Sequence, residues 1–393
     1  MSETPTAADR AEALLAAPVG RRLVAEVAGV SFAGLLDQLD LPYPPNIARL
    51  RSGPRKPRRR RAWTLFGQRI MLDPLHRMKR SRQRATDVHR GAVLQARTPN
   101  VAAAVQRIRA DSGRSQRVDV ERSTAVLEAL SRVIQGFGFW GNEKEYDHVL
   151  RAALDELRPV AEALVSSPAT RWWWDDVERD DQRYAERTAG DGNGPPRGDQ
   201  VAEQVAKAVK ELRSDEADAR KRHPSPSCVS ENASGHWWST PIPGLWTSRP
   251  VAPVPALHLA CAEETNDERA VVWSLRILSG ARVFEVRGPS DWSQLVAMAP
   301  IDVTMSRLSD WRRWTGHEGP FYLPDWSVIA EHFDGIHVTV GGFLTSRSVP
   351  VPVADGYSVL AGWDPDASLW LRDMTEAVER AGEWDGPFRF EDS

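Results

Sequence analysis

The chain has 393 residues, with 51 Lys+Arg against 54 Asp+Glu, 41% apolar residues and only two cysteines. That length suffices for two or three domains with a substantial core. Two cysteines exclude a disulfide framework and a cysteine-based zinc site, and no run approaches the ~18 apolar residues of a membrane span. The start, MSETPTAADRAEALLAA, lacks a basic region followed by a sustained apolar one, so no signal peptide is expected. These features point to a reducing cytoplasm.

Residues 8 to 36 show leucines and valines at helical spacing, interrupted at Pro18, and predict two short helices. From Arg51 to Arg122 the composition changes, with 20 Lys+Arg against 5 Asp+Glu, a local charge of +15. The remainder carries 31 basic and 49 acidic residues, a charge of −18. At the head of the basic stretch stand Arg55, Lys56, Arg58, Arg59, Arg60 and Arg61. So many like charges repel each other and cannot enter a core. They predict a partly disordered arm able to contact a nucleic-acid backbone, with Trp63 and Phe66 available to stack on bases.

Residues 123 to 225 predict a helical domain. STAVLEALSRVIQ follows a capping Ser123, and a second helical run spans roughly 143 to 167, with Pro159 set to kink or divide it. Three consecutive tryptophans follow, Trp172 to Trp174, which cannot share one helix face. A helix with a narrow stripe of Val201, Val205, Val209 and Leu212 should dock on a neighbouring domain. A Ser/Pro/Asn-rich run then places the main boundary near residue 225.

Residues 232 to 393 read as a mixed α/β domain with a mostly antiparallel sheet, so the fold class is α+β. Candidate strands are ALHLAC, AVVWSLRIL, ARVFEV, GIHVTVGGFL and SVLAGW. PSDWSQLVAMA and PDWSVIAEHF predict short helices opened by Pro with a capping Ser or Asp. The 16 tryptophans, most of them after residue 170, are read first as packing.

No phosphate-binding loop, GxSxG elbow or HExxH pair is present, so the common nucleotide, hydrolase and zincin chemistries are disfavoured and no metal is expected. In IHVTV, alternation puts His337 and Thr339 on one strand face, resembling half of the signature of two-histidine phosphoesterases. The second half, at LHLAC, has Ala260 in place of the hydroxyl. LWTS at 245–248, FDGIHV at 333–338 and GWDPDASLW at 362–370 resemble, in this order, segments of bacterial ADP-ribosyltransferase-like toxins. The whole chain is also similar to a family of Trp-rich actinobacterial proteins carrying GRRL, RPVAEA…WWW and PDW…DGIHVTV. The toxin resemblance implies NAD as substrate for ADP-ribosyl transfer or hydrolysis, in a toxin or defence effector. By the same resemblance Trp246, Thr247 and Ser248 would line a nicotinamide pocket, faced by Asp334, His337 and Asp364. Glu285 on ARVFEV is a further candidate carboxylate for a developing sugar cation. The pattern departs at Arg249, at Phe333, and in lacking a Glu-x-Glu or Gln-x-Glu pair. The alternative reading is a non-catalytic nucleic-acid or protein-interaction module that uses the basic arm.

Overall fold

A computed structural model describes residues 5–30, 119–135, 143–187, 193–229, 236–241, 243–261 and 269–385. The arginines of the basic run, Arg55 to Arg61, and Trp63 and Phe66 lie outside the described residues. The fold is α+β, with helices preceding a strand-rich C-terminal region. Among the described residues, no helix is long and apolar enough to cross a membrane.

Among the described residues, the helices before the first strand are α1 (Ala7–Ala16), α2 (Pro18–Val27), α3 (Ser123–Gln135), α4 (Glu143–Ala152) and α5 (Leu154–Ser166). Pro18 starts α2, where its missing N–H costs nothing. Thr6 and Asp9 close α1 with a reciprocal capping box. Gly20 lets the two helices meet, because a Cβ there would lie 2.3 Å from the Leu14 carbonyl oxygen. The second helical run divides at Ala153 rather than at Pro159, which lies inside α5. Arg21, almost fully buried on α2, donates from Nε to Asp147 of α4 at 2.8 Å and so staples these helices.

A 3-10 turn, Pro168–Trp174, carries the three tryptophans. Trp173 is buried, and its two neighbours are half-buried on different partners. β1 (Gln182–Arg187) and the long α6 (Asp199–Arg222) follow. The expected stripe of α6 is buried, and charge adds to it. Glu216 accepts from the backbone N–H groups of Met305 (3.1 Å) and Ser306 (2.8 Å), and Arg213 pairs with Asp325. Carboxylates at both contacts meet helix starts, where free N–H groups and the helix dipole favour negative charge.

The remaining elements are β2 (Leu245–Thr247), α7 (Leu257–Cys261), β3 (Arg269–Ile277), β4 (Val283–Val286), α8 (Pro289–Met298), β5 (Pro300–Asp302), α9 (Thr304–Thr315), β6 (Tyr322–Pro324), α10 (Trp326–His332), β7 (Gly335–Val338), α11 (Val340–Ser346), β8 (Pro350–Val353), β9 (Gly356–Val359), β10 (Ala367–Trp370) and β11 (Thr375–Asp385). Asp325 caps α10 as expected, whereas Gly288 precedes α8 without a side-chain cap. Three strand expectations are corrected. ALHLAC contributes the helix α7, since a mostly apolar run this short has no period that separates strand from helix. GIHVTVGGFL changes at Thr339, whose hydroxyl accepts from the Gly342 N–H and caps α11. Of SVLAGW only Ser358 and Val359 lie in a strand.

Two sheets define the centre. One has the order β2-β10-β7-β4, with β4 and β7 parallel and the other pairs antiparallel; the second has the order β1-β3-β11, all antiparallel. Strand β1 precedes residue 225 yet pairs along its length with β3, and Arg183 of β1 also bridges to Ser248 after β2. The largest buried cluster likewise runs from α1 through the four-stranded sheet. The expected boundary near residue 225 is therefore crossed by both sheet and core.

Candidate functional site

Register decides which side chains share a face, because directly opposed residues in adjacent strands point the same way. Thr247 opposes Ser368, Ser368 opposes His337, and His337 opposes Glu285. A polar row, Thr–Ser–His–Glu, thus crosses the entire four-stranded sheet. The next row on that face is Leu245, Trp370, Gly335 and Val283. Leu245, Trp370 and Val283 pack with Leu275 and Ile277 of the second sheet. Gly335 makes room for the Trp370 ring, which a Cβ would meet at 2.7 Å. The polar row accordingly lies on the side turned toward the second sheet. The opposite face carries Trp246, Leu369, Ile336 and Phe284 against the main core.

The row is hydrogen-bonded at both ends. His337, fully buried, places Nδ1 2.6 Å from Glu285 and Nε2 3.1 Å from Asp366, just before β10. Asp366 has a backbone φ of +57°, a left-handed conformation that Asp tolerates better than most residues. Arg249 donates to it from Nε (2.7 Å) and from its backbone N–H (2.8 Å), and its guanidinium lies 4.9 Å from the centre of the Trp172 ring. The other Glu285 oxygen accepts from the Val177 N–H at 3.1 Å. At the far end Thr247 donates to the Gln182 side chain (2.5 Å) and accepts from Trp370 Nε1 (2.9 Å). Between them the Ser368 hydroxyl is buried and makes no hydrogen bond.

Burial alone would lower the His337 pKa. Hydrogen bonds to Asp366 and Glu285, and their charges, outweigh it and raise the value to about 9. Burial would likewise raise Asp366; its bonds to His337 and Arg249 hold it below the ordinary carboxylate range. The raised His337 is thus protonated at neutral pH and lies between Glu285 and Asp366, with Asp366 joined in turn to the Arg249 guanidinium. A buried charge chain of this kind persists only because each member is paired.

Of the residues singled out in the sequence, Glu285, His337 and Thr247 share one row. The structure does not bring Trp246, Thr247 and Ser248 onto one face, because consecutive strand residues point to opposite faces. Trp246 packs edge-on against Trp363, with ring centres 4.9 Å apart. Ser248 lies 2.8 Å from Nδ1 of His258 on α7, buried in the main core. Asp334 precedes β7, at the end of the strands away from Arg249, and binds Arg282. Asp364 lies near Cys261, whose thiol is raised by burial first and by the Asp364 charge second. Asp366 and Arg249 complete the chain and were missed as members. GWDPDASLW offers two aspartates two positions apart, and only the turn geometry selects the second. Among the described residues no group of three His, Cys, Asp or Glu is arranged to hold a metal ion.

The class this fold and site define is an α+β protein with a charged row between two sheets. Comparison with protein-family models, with curated proteins and with solved structures found no match.

Proposed function

We propose that the face between the two sheets cleaves the nicotinamide–ribose bond of NAD, passing the ADP-ribosyl group to water or to an acceptor. The observation that carries this reading is the polar row itself. It sets a carboxylate, fixed by a protonated histidine, in register with a buried hydroxyl that has no protein partner. In the proposed step the bond between ribose C1′ and the pyridinium nitrogen breaks. Nicotinamide leaves neutral with the bonding pair, and the carboxylate of Glu285 stabilises the ribosyl cation until an oxygen nucleophile adds and releases a proton. His337 is a positioning residue that holds Glu285, and Asp366 with Arg249 holds His337. In this reading Ser368, whose hydroxyl has no protein partner, is the group of the row that would take a ribose hydroxyl, with Thr247 next to it in the row. Both cysteines are free thiols, in keeping with a protein that works in the cytoplasm, where NAD is plentiful, as a toxin or defence effector.

The test is nicotinamide release from NAD by the full chain and by Glu285→Gln. Wild type should release nicotinamide, and the variant should lose roughly 100-fold, the usual cost of removing one charge-stabilising group. Equal rates, or no release by wild type, would reject the reading.

A further inference from the structure

The segment from Asp175 to Glu178, between the tryptophan turn and β1, has no regular structure and crosses the mouth of the polar row. The sheet explains why this is a mouth. β2, β7 and β4 run in the same direction, so Arg249 after β2 and Arg287 after β4 emerge at the same end of the sheet. Asp176 lies on both of these arginines. Its carboxylate accepts from Arg287, at 3.1 Å for Nε, and its backbone carbonyl accepts from Arg249 Nη2 at 3.2 Å. The next residue, Val177, gives its N–H to Glu285.

One residue of the chain therefore presents two anionic or acceptor oxygens to two guanidinium groups, next to the carboxylate assigned to catalysis. The Arg287 and Asp176 side chains are 50% and 61% exposed, and an exposed pair of this kind holds weakly. Arg249 differs, since its other bonds run inward to Asp366 and keep it in place. Trp173, buried in the main core, fixes one end of the segment. At the other end the Arg179 carbonyl accepts from the Ile277 N–H at 2.8 Å. Between these ends, the side chain and carbonyl of Asp176 rest on Arg287 and Arg249.

We propose that Asp176 occupies the seat of an anionic ligand, a diphosphate, on Arg249 and Arg287, and that the ligand binds by displacing it. Asp176 is then an internal competitor. Displacement also disturbs the Val177 contact with Glu285, so anion binding is communicated to that carboxylate. The inference rests on the NAD reading only for the identity of the natural ligand; the anion seat itself does not require glycosidic cleavage.

The experiment is calorimetric titration of the full chain with inorganic diphosphate at low salt, comparing wild type with Asp176→Asn, Arg287→Gln and Asp180→Asn. Asp180 lies in the same acidic stretch, and its substitution gives the same change in net charge as Asp176→Asn. Asp176→Asn should bind diphosphate at least 10-fold more tightly than wild type, Arg287→Gln should lose binding, and Asp180→Asn should resemble wild type. The proposal is overturned if Asp176→Asn and Asp180→Asn tighten binding equally, if Asp176→Asn changes nothing, or if Arg287→Gln binds as wild type does. Diphosphate binding with this pattern, but without nicotinamide release, would uphold the seat and reject the NAD reading.

Discussion

His337 is the residue at which folding and chemistry meet. Its charged form is favoured in the folded chain, where the pKa is about 9 against an ordinary 6.5. A group whose folded pKa is raised adds stability that is complete below the unfolded value and is lost as pH rises through the folded one. The window is therefore pH 6.5 to about 9, and the contribution is on the order of 3 kcal/mol at most. Denaturant titrations should show wild type losing stability across this window, while His337→Gln, less stable at pH 6, shows no such slope. A wild-type profile flat from pH 6 to 10 would mean that folding does not raise the imidazole pKa. Glu216 is a second residue with a defined task, since it accepts two N–H groups at the start of α9. Glu216→Ala strands these buried donors and should cost about 1–3 kcal/mol, with Glu216→Gln recovering part of the loss.

At the scale of elements, the strand-to-helix change at Thr339 shows both what the sequence disclosed and what it hid. His337 and the carboxylate of ARVFEV were legible, because alternation in a short apolar strand shows which residues share a face. The helix α11 was not, because VTVGGFL has strand-like composition. Its glycines are required by tertiary neighbours: a Cβ at Gly341 would lie 2.1 Å from the Trp174 ring, and one at Gly342 would lie 2.0 Å from the Val286 carbonyl oxygen. Strands β1, β10 and β11 were also missed. QRYAER and TEAVERAGEWD are polar on both sides and satisfy a strand only because β3 lies between them. Gly341→Ala should destabilise by about 1–3 kcal/mol through overpacking. A smaller side chain at Trp174 should relieve part of that cost, so a double-mutant cycle in urea tests the contact. Strict additivity of Gly341→Ala and Trp174→Leu would show that the two residues do not meet.

At the scale of the whole molecule, the tryptophans and the two sheets make one body of segments distant in sequence. Trp292, Trp326 and Trp363 converge with ring centres 5.9 to 6.4 Å apart, so the two helices opened by similar Pro–Trp–Ser segments meet in one core. Strand β1 and Gln182 come from the preceding region yet complete the second sheet and the bond to Thr247. Residues 232–393 expressed alone should therefore lack a cooperative thermal transition, whereas the full chain shows one. A sharp transition in the fragment, by circular dichroism, would restore the boundary near residue 225. The central claim is that Glu285 works through its tie to His337 and Asp366. Its most direct test is nicotinamide release from NAD, measured from pH 6 to pH 10 for wild type and His337→Gln. Wild-type release should fall as pH rises through about 9, where His337 loses its proton, and the variant should be slower without that fall. Superimposable profiles, or wild-type release that persists unchanged to pH 10, would contradict it.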